Sequence, residues 1–141
     1  ATQTAPFVEL LTLRALSATD PINYGSLEVN ADTGSTNAST TFTNLGNDSI
    51  DILIEGTNLS DGVSSVIPVT TQKYATSTFT YSSCVFCSAL TASSSNYELD
   101  LAKPTSTSTP ITDEVYWGIS VPYGVSANAH TGANTFYATG D

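Results

Sequence analysis

The sequence predicts an all-β protein, an antiparallel β-sandwich of eight to ten short strands. Three observations carry this prediction. Apolar residues recur with a period of two over most of the chain, helical periodicity is nearly absent, and turn signals fall at short, regular spacing. The turn signals are Asp20-Pro21, Asp32-Thr33-Gly34, Leu45-Gly46-Asn47-Asp48, Ser60-Asp61-Gly62, Pro122-Tyr123-Gly124 and Thr131-Gly132. At 141 residues the chain is expected to form one domain around one core.

The first element is unusual. Read as a strand, residues 6–16 put Phe7, Leu11, Leu13 and Ala15 on one side and Val8, Leu10 and Leu16 on the other. Neither face is polar enough to meet water, so such a strand needs cover on both sides. It is either a central strand of its own domain or one lent to a neighbouring subunit. The residue types also suit a helix, with Thr4 as cap and Pro6 in the first turn. No polar helical face exists, however, and everything that follows is β-patterned, so strand is the better reading. The chain therefore divides into an extension, residues 1–16, and a sandwich, residues 17–141.

Within the sandwich the clearest strand is at 49–55, where Ile50, Ile52 and Ile54 point one way and Asp51 and Glu55 the other. Residues 97–101 repeat the pattern with Tyr97, Leu99 and Leu101 inward and Glu98 and Asp100 outward. Weaker alternation marks 25–29, 40–45, 65–69, 76–81, 114–121 and 134–139. Residues 103–112, with Pro104 and Pro110 among Ser and Thr, read as a loop or edge crossing open to O-glycosylation.

Composition narrows the function. The net charge is −10, and Arg14, Lys73 and Lys103 are the only basic residues besides the single histidine. Phosphate binding depends on clustered Lys and Arg, which excludes nucleic acid and disfavours an anionic membrane surface. There is no apolar run long enough to span a bilayer, so no membrane insertion is expected. Scarce Lys and Arg, no Met and a small-residue start at residues 1–5 suggest a processed, exported chain, extracellular or at the cell surface. Candidate N-glycosylation sites are Asn37, Asn47 and Asn58, each in an N-x-S sequon.

Catalytic and metal chemistry find little support. Cys84 and Cys87 are the only cysteines, without the helix that lowers the thiol pKa in redox sites, and in an exported chain they read as a local disulfide. One CxxC and one histidine fall short of a zinc site. His130 beside Thr131-Gly132 reads as an exposed turn residue, since no nucleophile motif accompanies it. The carboxylates alternate outward along strands, as on a solvated face, rather than pairing across a sugar cleft. Turns at 32–37 and 44–48 carry oxygen ligands for calcium, but no D-x-D-x-D-G loop occurs. Trp117, the only tryptophan, reads as core rather than as a sugar-stacking platform. No cofactor, no resident metal and no catalytic residue is expected.

The stretch Asp113-Glu114-Val115-Tyr116-Trp117-Gly118-Ile119-Ser120-Val121-Pro122, followed by Thr131-Gly132-Ala133-Asn134-Thr135-Phe136, resembles the close of a β-sandwich domain. That domain occurs in exported surface proteins of uncultured, small-genome bacteria. Thr41-Phe42-Thr43-Asn44-Leu45-Gly46-Asn47-Asp48-Ser49-Ile50-Asp51-Ile52 is similar to the strand pair of the same group. More distantly, the layout resembles camelysin-type biofilm fibre proteins and archaeal bundling pilins, and the likeness covers about residues 20–139. The resemblance implies a jelly-roll or immunoglobulin-like sandwich with no catalytic residues. It also implies assembly in which an N-terminal strand completes a neighbour's sheet. On that reading residues 7–16 are the donor, with Phe7, Val8, Leu10, Leu11, Leu13 and Leu16 at the subunit interface, and the partners are copies of the chain. The expected function is a non-enzymatic subunit of an extracellular filament or surface layer. The alternative is a monomeric surface module binding carbohydrate or calcium.

Overall fold

The computed structural model describes residues 8–106 and 108–141. Their ten strands are β1 (Leu16–Ala18), β2 (Ala38–Asn44), β3 (Ile50–Gly56), β4 (Leu59–Ser60), β5 (Val66–Ile67), β6 (Gln72–Ala75), β7 (Ser88–Ala89), β8 (Ser95–Leu101), β9 (Ile111–Ile119) and β10 (Asn134–Gly140). All pairings are antiparallel. One sheet has the order β1-β2-β9-β6-β7, the other β10-β3-β8, and β4-β5 forms a separate hairpin.

The two sheets face each other across the alternating apolar rows found in the sequence. Phe42 and Trp117 from the larger sheet meet Phe136 of the smaller, with ring centres 4.9 and 5.9 Å apart, while Tyr74 meets Tyr97 at 4.9 Å. Ile50, Ile52, Ile54, Leu99, Leu101 and Val115 fill the space between them. Edge-on and tilted ring contacts of this kind add to the area they bury. A smaller cluster of Ile67, Ile119 and Val121 lies against Tyr24, Leu27 and Leu59. The fold is thus an all-β antiparallel sandwich.

Among the strands and the extension the structure departs from the sequence reading at four places. Residues 25–29 and 76–81 alternate but form no strand. Leu27 instead packs on the smaller cluster, and Phe79 is buried with its amide held by the Asn37 Oδ1 at 2.9 Å. The third departure is Asp51, which is buried rather than outward. The β3–β8 register shifts between Ile50 and Ile52, leaving the Leu99 and Asp100 amides without ladder partners. Asp51 Oδ1 accepts both, at 3.0 and 2.9 Å. A buried amide must find an acceptor, so the bulged segment of β8 closes over this carboxylate and takes it out of solvent.

The fourth concerns the boundary of the extension. Leu16 pairs with Asn44 in β1 and packs half-buried on the core of its own chain. The sandwich therefore begins at Leu16, one residue earlier than expected, and Leu16 is removed from the group available to a neighbour. Phe7 lies outside the described residues.

Candidate functional site

The segment before β1 is organised by the β2–β3 turn. Asn44 is buried at the end of β2, where its Nδ2 donates to the carbonyls of Asp48 at 2.8 Å, Ala102 at 3.1 Å and Leu101 at 3.2 Å. Its Oδ1 accepts the Gly46 amide at 2.9 Å. This shapes the turn so that Asn47 faces the N-terminal arm. The Leu13 amide donates to Asn47 Oδ1 at 2.7 Å, and Asn47 Nδ2 donates to the Leu11 carbonyl at 2.9 Å. Backbone bonds from Asn47 to Leu13 and from Leu45 to Ala15, each 2.9 Å, complete the tether. Gly46 is needed because a Cβ there would run into the Leu13 carbonyl oxygen. Arg14 pairs with Asp48 at 3.1 Å and lies over Gly140 at the end of β10.

Tethered by its backbone, the arm turns its side chains to solvent. Val8 and Leu10 are each 83% exposed, Leu11 78% and Leu13 57%. Four large apolar residues on one short segment thus stand uncovered together, unlike the singly scattered exposed apolar residues usual in soluble proteins.

A second apolar projection is the Cys84–Cys87 disulfide loop. The bond closes a ring with a sequence separation of 3 and a Cα–Cα distance of 5.7 Å. So small a ring removes little chain entropy and chiefly fixes loop shape. It presents Val85, 95% exposed, and Phe86, 60% exposed. The loop base is pinned by Tyr81, whose hydroxyl donates to the Thr71 carbonyl at 2.8 Å and whose carbonyl accepts Lys73 Nζ at 3.1 Å.

Two polar clusters complete the survey. Asp61 Oδ1 accepts the amides of Val63, Ser64 and Ser65 at 2.9–3.0 Å, and its Oδ2 accepts Ser126 Oγ at 2.7 Å and Asn128 Nδ2 at 3.2 Å. The Ser65 amide, then the Val63 amide and the Ser126 hydroxyl, hold its pKa well below the carboxylate range. His130 is half-buried here rather than free in a turn, with Nδ1 2.9 Å from the Asn128 carbonyl and Nε2 3.1 Å from Ser65 Oγ. Ser65 Oγ in turn accepts the Ser126 amide at 2.9 Å. The Asp61 oxygens bond to amides and to Ser126 and Asn128 rather than to His130, so the triad geometry of acyl transfer is not assembled. Instead the cluster clamps the β4–β5 hairpin to residues 126–130. Because folding lowers the Asp61 pKa, its contribution is complete above the ordinary carboxylate value and is lost as pH falls below it. Amide protection at Val63, Ser64 and Ser65 is therefore expected to hold down to about pH 4 and to fall progressively from there to about pH 2, and Asp61→Ala to abolish that pH dependence. Unchanged protection across this range contradicts the clamp.

The other cluster joins Asp51, Glu98 and Asp100, whose carboxylates each offer an oxygen within 4.8 Å of the others. The Asp51 charge, above all, raises the Glu98 pKa. Offering one oxygen each, the three leave the rest of the six to eight oxygens that calcium takes to second carboxylate oxygens, backbone carbonyls or water. Neither cluster was visible in the sequence, since Ser65 and His130, or Asp51 and Glu98, meet only through strand pairing.

Trp117 is buried, with Nε1 donating to Thr40 Oγ1 at 3.0 Å, so its ring is closed to a sugar. The three sequons differ in access. Asn37 Nδ2 is buried and Asn47 Nδ2 is bonded to the arm, whereas Asn58 is exposed and its side chain engages the described residues only through Oδ1, which accepts the Val69 amide. In a glycosylating host the folded protein is expected to carry glycan at Asn58 and not at Asn37, read by peptide mass spectrometry. Full occupancy of Asn37 in folded material contradicts this. No family model, curated protein or solved structure matches the chain.

Proposed function

We propose that this chain is an exported, non-enzymatic subunit of an extracellular filament or surface layer, assembled when the arm of one copy adds to a sheet of the next. The observation that carries the reading is the arm itself: Val8, Leu10, Leu11 and Leu13 stand uncovered while the backbone at Leu11 and Leu13 is tied to the β2–β3 turn. A donated strand gains ladder hydrogen bonds from its main chain and affinity from its apolar side chains. Donation from one surface to a different surface is head-to-tail, and such contacts run on as open fibres. The outward carboxylates Glu98 and Asp100 on β8 oppose unplanned edge pairing.

Negative-stain microscopy of the purified protein tests the reading, with fibres or a regular layer as the expected result and dispersed monomers the result against it. The alternative, a monomeric surface module, draws on the Asp51, Glu98 and Asp100 group and predicts a calcium-dependent thermal shift without assembly.

A further inference from the structure

We propose that the acceptor for a second copy's arm is the β7 edge of the larger sheet together with the disulfide-tied tip, Val85 and Phe86. This inference rests on the filament reading and adds where the arm goes. The edges of the two sheets differ in charge and cover. The β8 edge displays Glu98 and Asp100 and is bulged, and both features discourage pairing. The β10 edge is crossed at Gly140 by Arg14 from the chain's own arm. On the larger sheet, β1 is continuous with the arm, which leaves β7 at the opposite edge. Strand β7 pairs through only Ser88 and Ala89, so the outer side of this edge is short and open.

The sequence that builds β7 and the tip is also short of charge. Between Asp61 and Glu98 the sequence contains no Asp or Glu, and its single basic residue, Lys73, is held over the Tyr81 ring at 4.4 Å. On a chain of net charge −10, this stretch brings no carboxylate of its own to a second copy, and the acid near its base is Asp32, whose charge acts on Tyr81. The exposed part of the arm is nearly neutral too, with Glu9 its one charge before Arg14, which is paired to Asp48. Beside the tip lies a shallow depression of about 340 Å³, lined by Phe79, Phe86, Ser35, Thr78 and Thr80 among others, which offers an apolar side chain a seat. Arm and acceptor at opposite edges of one sheet make a junction that repeats without closing.

Two variants separate this inference from the filament reading. In V85S/F86S the tip is polar and the arm intact; in V8D/L10D/L11D the arm is charged and the tip intact. All five residues are exposed, so both variants are expected to fold. By sedimentation velocity the unmodified protein assembles, and each variant alone is a monomer, its junction weakened roughly a hundredfold or more. Mixed, the two variants form a one-to-one dimer that grows no further, because one supplies only an arm and the other only an acceptor. Assembly of V85S/F86S alone at unmodified strength overturns the acceptor assignment and leaves the filament reading standing. A mixture that stays monomeric, while the unmodified protein polymerises, also overturns it. A monomeric unmodified protein overturns both.

Discussion

Replacing Val8, Leu10 and Leu11 together with aspartate is expected to leave a folded monomer and abolish assembly. The three side chains are largely exposed in the single chain and contribute little to its core. Burying each in a neighbour is worth roughly 1.5–3 kcal/mol, so their joint loss removes about 5–9 kcal/mol from the junction, before the cost of burying a carboxylate. At about 1.4 kcal/mol per tenfold, affinity falls by a thousandfold or more. Circular dichroism and the urea midpoint should stay close to those of the unmodified protein. If the variant unfolds, the arm is part of the domain's own core and donation is wrong.

The second large effect lies in the core. Trp117→Ala is expected to destabilise the fold by about 3–5 kcal/mol, a large share of the 5–15 kcal/mol typical of a domain. The indole is fully buried, touches Tyr74 and Phe136, and donates to the buried Thr40 hydroxyl. Removing it opens a cavity between the sheets and strips Thr40 Oγ1 of its donor. Trp117→Phe keeps most of the volume and is expected to cost less than half as much. Urea denaturation measures both, and a loss under 1 kcal/mol for the alanine variant places Trp117 outside the working core.

Much of this architecture is legible in the residues because a strand with one buried face writes its period directly into the sequence. Residues 50–54, 97–101, 115–119 and 134–140 alternate and form β3, β8, β9 and β10. The reading fails where alternation is accidental. Leu27 and Phe79 are inward through loops, whose apolar residues carry no period. Asp51 reads as solvated because a period-two rule assigns a residue its face and not its cover, and the β8 bulge lays two amides over this carboxylate. The arm is a mixed case. Its two-sided hydrophobicity is plain in the sequence, but its tether through Asn47 depends on a turn more than thirty residues away, built by Asn44 and Gly46. That long-range bond explains why the exposed segment stops at Leu13 while Leu16 joins its own sheet.

Amide hydrogen exchange at residues 8–10, compared between dilute monomer and assembled material, tests the central claim most directly. In the monomer these amides make no backbone hydrogen bond to another described residue and should exchange at unprotected rates. In the assembly a donated strand places them in a neighbour's ladder, and protection by a factor of a hundred or more, about 3 kcal/mol, is the expected result. Equal, unprotected exchange in both states would show that the arm stays in water and that the subunits meet by some other surface.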